Sequence, residues 1–225
     1  MMQWSVTAEK WMSGVRQSGL SVGLGLLALT GVAGISMAAQ AQTAAVPPAT
    51  VQTGERYSIQ VPKGWQLVNR SGNGAVETLS YVPEGQSAER WQDMLTIQAV
   101  RTSAGVQALS PERLYAQSQN SYEQACDGVK LGTLQAGQSN GYPSAFWVLG
   151  CAKVKAAGYG ETAFFRTIQG TSALYMAQWA WRVAPFDKTE GPPLLEDQQK
   201  EALTTLQSFQ VCDPASPQHP CRPGQ

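Results

Sequence analysis

Histidine is almost missing: His219 is the single one in 225 residues, and it sits in a Pro-rich C-terminal stretch. Its scarcity excludes His-based catalytic triads and His-rich metal sites from the body of the chain. Charge is also sparse, at 14% of residues, with 16 Lys+Arg against 16 Asp+Glu. A balanced chain without Lys/Arg runs has no broad field for nucleic acid or anionic lipid. Three motifs are absent: the G-x-S-x-G nucleophile elbow, the G-x-x-x-x-G-K phosphate loop and a C-x₂-C metal pair. No cofactor and no metal is therefore predicted. Long apolar runs are missing after the first forty residues, so nothing later reads as a membrane span.

That early run is informative. Lys10 and Arg16 precede the apolar stretch Leu20–Met37, and Ala39-Gln40-Ala41 follows as an A-x-A cleavage pattern. Basic, apolar and small-residue regions in that order predict a secretory signal peptide over 1–41. The other reading is an uncleaved anchor, since about 18 apolar residues approach the length that crosses a bilayer. Residues 42–54 would form a polar, Pro-containing leader. The predicted location is outside the cytoplasm: periplasmic or secreted.

Export gives the cysteines a meaning. Cys126, Cys151, Cys212 and Cys221 form an even set in a chain sent to an oxidising space. Three pairings are open. Cys212 with Cys221 is favoured by the turn-rich DPASPQH between them. Cys126 with Cys151 is favoured by a register argument: a hairpin folding about Asn140 sets Val129 opposite Cys151 and brings Cys126 alongside. Chain-entropy reasoning gives ~2.7 kcal/mol for the short loop and ~3.5 kcal/mol for the long one.

Strand patterns dominate residues 55–211. Arg56–Val61, Ala75–Val82, Met94–Arg101, Val129–Ala136, Ser144–Lys155, Glu161–Gln169 and Ala173–Val183 are rich in aromatic or β-branched residues and bounded by Gly or Pro. Trp65 and Leu67 read as dipping back into the core, Ser87–Asp93 as a helical turn and Gly137–Tyr142 as a turn region. A hairpin at Gly170-Thr171, of type II′, puts Phe164, Arg166, Ile168, Tyr175, Ala177, Trp179 and Trp181 on one face. Phe165, Leu174, Met176, Gln178, Ala180 and Arg182 take the other. Both faces are substantially apolar, so each needs a cover. One cover is a helix from Ser110-Pro111-Glu112 to about Cys126, with Leu114, Ser118, Tyr122 and Ala125 on its stripe. The second opens at Pro192-Pro193 and carries Leu195, Ala202, Leu203 and Leu206. The predicted fold is α+β: an antiparallel sheet of about six to seven strands flanked by helices as an α/β/α sandwich. Residues 212–225 read as a Pro-rich, disulfide-closed tail.

The opening strand Tyr57-Ser58-Ile59-Gln60-Val61-Pro62-Lys63-Gly64-Trp65 and the closing helix with Leu203, Leu206, Ser208 and Phe209 resemble the PsbP-like superfamily. The likeness runs over Arg56–Gln210. Tyr81–Gln98 and Gly160–Arg182 are similar to an uncharacterised exported bacterial subgroup. The resemblance implies an antiparallel sheet between helices and an accessory or binding role, and it carries over no catalytic residue.

Two groupings are candidates for chemistry. Arg166, Tyr175, Trp179 and Trp181 share a face and could form an aromatic–cation platform for a ligand. The simpler reading is a core under a covering helix, with Arg166 snorkelling to the rim. Glu84, Glu89 and Asp93 cluster about the Pro83 turn, and Glu196, Asp197 and Glu201 about the last helix. The second trio suits a helix dipole and the first a solvated loop. The function expected is a non-catalytic binding or accessory module for another envelope protein or a small ligand. The alternatives are an envelope hydrolase working through Glu84, Glu89 and Asp93, and a structural envelope component.

Overall fold

Period-two alternation of apolar residues builds a sheet wherever both sides can be covered, and that condition organises this chain. The computed structural model describes residues 54–102 and 109–222. The predicted signal, and the predicted leader except Gly54, lie outside the described residues. In chain order the elements are β1 (Arg56–Ser58), β2 (Trp65–Gly72), β3 (Val76–Pro83), β4 (Asp93–Arg101), α1 (Pro111–Ala125) and β5 (Val129–Leu131). They continue with β6 (Gln135–Ser139), β7 (Tyr142–Cys151), β8 (Gly160–Gln169), β9 (Ala173–Val183), α2 (Glu196–Ser208) and β10 (Gln210–Cys212).

The main sheet has eight strands in the order β2-β3-β4-β9-β8-β7-β5, with β6 also on β7, and a second sheet pairs β1 with β10. Every pairing is antiparallel. Two meanders meet at β4 and β9, and α1 carries the chain from the middle of the sheet to its far edge. The class is α+β. The main sheet exceeds the expected six to seven strands because Trp65–Gly72 is a full edge strand and the expected strand 129–136 divides into β5 and β6. Against these gains, the expected strand Arg56–Val61 leaves the main sheet, its residues Arg56–Ser58 pairing with β10. Along β2 the register shifts between Leu67 and Asn69. On this edge strand Leu67 is 47% exposed instead of entering the core.

Val129 does pair with Cys151, as the hairpin argument requires, but the register moves by one residue between β5 and β6. Gly132 lies at the break, where a Cβ would meet the Val148 carbonyl oxygen at 2.7 Å. The reversal itself needs two residues, Asn140 (φ 52°) and Gly141 (φ 79°). Asn-Gly is the pair that tolerates two successive left-handed conformations. The expected turn region 137–142 is thus mostly strand. Residues 87–92 form bends rather than the expected helical turn.

The β8–β9 hairpin keeps the predicted faces but not the predicted turn. Gln169 pairs with Leu174, and Gly170 N–H donates to Ala173 O at 2.9 Å. The register is two residues from the expected one, and a shift of two leaves every side chain on its side. Gly170 has no positive φ, so this is not a II′ turn. A Cβ at Gly170 would lie 2.5 Å from Glu55 Oε2 and 2.9 Å from the Tyr175 ring, so a larger residue would displace the Glu55 carboxylate from the turn. That carboxylate accepts from Thr171 N–H, from Ser172 N–H at 2.8 Å and from Ser172 Oγ at 2.7 Å.

Each face is closed by one helix. Under α1 lie Trp147, Phe165, Leu174, Met176 and Ala180, with Leu114 and Tyr122 from the helix. Trp147 and Phe165 stack with centroids 5.1 Å apart, a contact of about 0.5–1.5 kcal/mol beyond its buried area. Under α2 lie Leu95, Ile97, Phe164, Ile168, Tyr175, Trp179 and Trp181, with Ala202, Leu206 and Phe209. Ser110 caps α1, its Oγ accepting from Arg113 N–H at 3.3 Å, with Pro111 at the first turn. α2 starts at Glu196, later than Pro192-Pro193, with Gln198 Oε1 accepting from Leu195 N–H at 3.0 Å to set its first turn. Leu195 is therefore the residue before the helix, 71% exposed and outside the apolar stripe.

Cys126 is bonded to Cys151 and Cys212 to Cys221, with Cα–Cα distances of 5.4 and 4.9 Å. The second bond closes a tail that packs onto the domain. His219 stacks on Tyr142 with centroids 3.7 Å apart, and its Nδ1 lies 2.8 Å from Asn140 O. Asn140 Nδ2 donates to Val211 O and Pro220 O.

Candidate functional site

Strand alternation decides which side chains meet on the α2 face. Register places Arg166 opposite Phe146 on one side and Ala177 on the other, while Phe164 faces Val148 and Trp179. Tyr175, Trp179 and Trp181 follow every second residue along β9. The face thus assembles the four residues Arg166, Tyr175, Trp179 and Trp181, though not as an open platform. Trp179 is 1% and Trp181 2% exposed, and Tyr175 is also buried. Trp65 packs on Trp179 with centroids 4.6 Å apart, and Phe164 meets Trp181 edge-on at 5.0 Å. The Trp179 indole N–H is buried without an acceptor among the described residues.

Arg166 differs from its neighbours in being only half-buried. Its Nη2 donates to Ser139 Oγ at 3.3 Å, and its Nε is buried without an acceptor. No carboxylate among the described residues lies within ion-pair distance of it. Burial in apolar surroundings lowers its pKa, the direction desolvation imposes on a cation.

Glu84 and Glu89 stand exposed on the loop after β3, and Asp93 is half-buried at the start of β4. Glu89 accepts from Ser87 Oγ at 3.0 Å. Burial pushes the Asp93 carboxyl up, and Glu201 on α2 adds to this by repulsion. The charge that Asp93 senses thus comes from across the α2 face, not from Glu84 or Glu89. Glu201 belongs to the second acidic trio, whose Glu196 and Asp197 occupy the first turn of α2. Among the described residues no three His, Cys, Asp or Glu side chains converge as metal ligands.

The other face holds a group that sequence reasoning left out. Glu161 at the start of β8 is 4% exposed, flanked across the sheet by Cys151 and Arg182. Tyr122 of α1 donates its hydroxyl to Glu161 Oε1 at 2.9 Å. Burial pushes the Glu161 carboxyl up, against the opposing effects of that hydrogen bond and of Arg182. Burial likewise raises the Tyr122 phenol, reinforced by the nearby Glu161. Arg182 lies between Trp91 and Tyr159, 4.1 and 4.8 Å from their centroids, and donates to Glu89 O at 3.0 Å. A signal existed in the sequence. With the correct register, Glu161 falls opposite Arg182 on a face that Phe165, Leu174, Met176 and Ala180 make largely apolar.

Comparison with known proteins adds little chemistry. No family model matches the chain, and no curated protein matches it. Among solved structures the chain is similar to LpqN of Mycobacterium tuberculosis, described as involved in cell envelope biogenesis. The TM-score is 0.37 and the identity 12%, over 72% of this chain and 87% of that chain.

Proposed function

We propose that the protein is an exported, periplasmic binding or accessory module of PsbP-like shape that serves an envelope partner or a small ligand without catalysis. Two disulfides suit an oxidising compartment. Among the described residues no helix is long and apolar enough to cross a membrane. The histidine is engaged in a ring stack and a contact to Asn140 O. The observation that carries the reading is Arg166, a half-buried cation on an aromatic face with a hydroxyl as its partner and no acid beside it. A cation held this way is poised to take its counter-charge from outside the chain.

A second reading, an envelope hydrolase, is favoured by Asp93, whose raised carboxyl pKa would suit a general acid. Purification of the tagged protein from its own envelope, with mass spectrometry of what accompanies it, tests the binding role alongside a hydrolase screen. The expected result is a specific companion and no turnover. Saturable turnover abolished by Asp93→Asn or Glu89→Gln, with no companion, would replace the binding reading with the hydrolase.

A further inference from the structure

The α2 face is not closed evenly. Over β8 and β9 its side chains are buried, but on β7 the residues of that face, Ser144, Phe146 and Val148, are half-buried. Their partners on β6, Gln135 and Gly137, are exposed. A strip therefore runs along β7 beside the helix cover. At its inner border stands Arg166, opposite Phe146, with Ser139 at its Nη2. Phe146 meets Phe164 edge-to-face at 5.9 Å, which presents a ring surface continuous with the core. Val148 continues this surface one pleat further, about 7 Å along the strand.

Within one side chain's reach this strip offers two things: apolar surface that water covers poorly, and a guanidinium lacking a carboxylate. Tyr142 and His219 close its lower end by stacking, and no acidic residue lies within ion-pair distance of Arg166 among the described residues. Arg presents paired N–H groups that match a carboxylate, and such charge-assisted bonds strengthen where solvent is partly excluded.

Building on the binding-module reading, we propose that Arg166 and Ser139 form the head-group subsite for a small monocarboxylate whose alkyl or aromatic body lies along Phe146 and Val148. The carboxylate accepts from the Arg166 guanidinium, which the buried Ser139 hydroxyl holds in place. Specificity is for one negative charge joined to an apolar body. Neither part suffices, since the strip is narrow and the cation is partly screened.

The test uses the intact mature protein with sodium decanoate and its neutral isostere decanamide, read by amide chemical shifts and by titration calorimetry. The expected result is saturable decanoate binding that shifts resonances of residues 135–148 and 164–168, with decanamide at least ~10-fold weaker, the effect of about 1.4 kcal/mol lost at the head group. Arg166→Gln should abolish the preference for decanoate over decanamide, and Arg166→Lys should retain part of it. Equal binding of the two probes, shifts mapping to another surface, or no saturable binding would overturn the subsite. The probe comparison is made on the wild-type chain and does not depend on either variant folding. If decanoate fails while an envelope companion still co-purifies, the subsite falls and the binding role stands. If both fail, the binding role falls as well.

Discussion

Glu161 allows a direct test of how this sheet handles a charge beneath α1. Substitution by glutamine keeps the length, the planar end and an oxygen to accept from Tyr122, and replaces the ionisable oxygen by an uncharged NH2 group. The carboxyl is fully buried, and burial is the largest influence on it, raising its pKa above the ordinary value. A carboxyl whose folded pKa is raised holds its proton more tightly in the native state. Its contribution to stability is therefore greatest below the unfolded pKa of about 4.3, and it declines as pH rises toward the folded pKa. Above that, the native state carries a buried carboxylate with one phenolic partner and no ion pair, a burden on the order of 1–2 kcal/mol. Glu161→Gln should leave stability near pH 4 almost unchanged and raise it by about 1–2 kcal/mol at pH 7.5. For a domain of this size that corresponds to roughly 2–8 °C in Tm. Urea unfolding with the disulfides intact, at both pH values, reads the difference. A variant less stable than wild type at pH 7.5, or with the same pH slope, would show that attraction between Glu161 and Arg182 outweighs burial and would refute the reasoning.

The remaining expectations concern contacts near the ends of the elements. At Glu55, burial acts to raise the pKa, but the combined hydrogen bonds from Ser172 and Thr171 prevail and lower it. Its contribution is thus present above the unfolded pKa and is lost as pH falls through the lowered folded value. Glu55→Gln should cost roughly 1 kcal/mol at pH 7 and almost nothing at pH 2, read by urea melts at both. Replacing Cys126 and Cys151 together by alanine should lower stability by about 3.5 kcal/mol, from loop closure in the unfolded chain, measured by chemical unfolding at pH 7. Ser110→Ala should cost about 1 kcal/mol by removing the cap of α1, with a matching loss of amide-exchange protection over its first turn.

What the sequence disclosed, and what it hid, follows from the range of each signal. The two faces of β8 and β9 were legible because alternation is local and survives an even register error. The turn was not, because the Glu55 carboxylate that accepts from Thr171 and Ser172 comes from more than a hundred residues earlier in the chain. β10 went unseen for a similar reason. Gln210-Val211-Cys212 has no pattern of its own and becomes a strand through β1. The helical reading of 87–92 failed where Gln86 Oε1 accepts from Gln92 N–H at 2.6 Å and draws the segment into bends. Of the candidate site, Arg166 and its aromatic neighbours could be placed together from spacing alone. Their burial under a covering helix was the simpler reading as well, because two apolar faces each need a cover. That Trp65 packs on Trp179 was not legible, since β2 arrives from far earlier in the chain. Glu161 escaped notice because a strand-initial acid looks solvated until Tyr122 is placed above it.

The three-residue ladder between β1 and β10 bears on how the domain would respond to tension. Arg56 faces Cys212 and Ser58 faces Gln210, so the outer ends of the two segments lie side by side. Pulling on both would load this ladder together with the Glu55 bonds to Thr171 and Ser172 and the tail contacts to Tyr142 and Asn140, so tension would enter the eight-stranded layer at its β8–β9 and β6–β7 turns. The same adjacency makes the domain suited to insertion into a host loop: a guest whose ends meet at one corner can be grafted without stretching either protein.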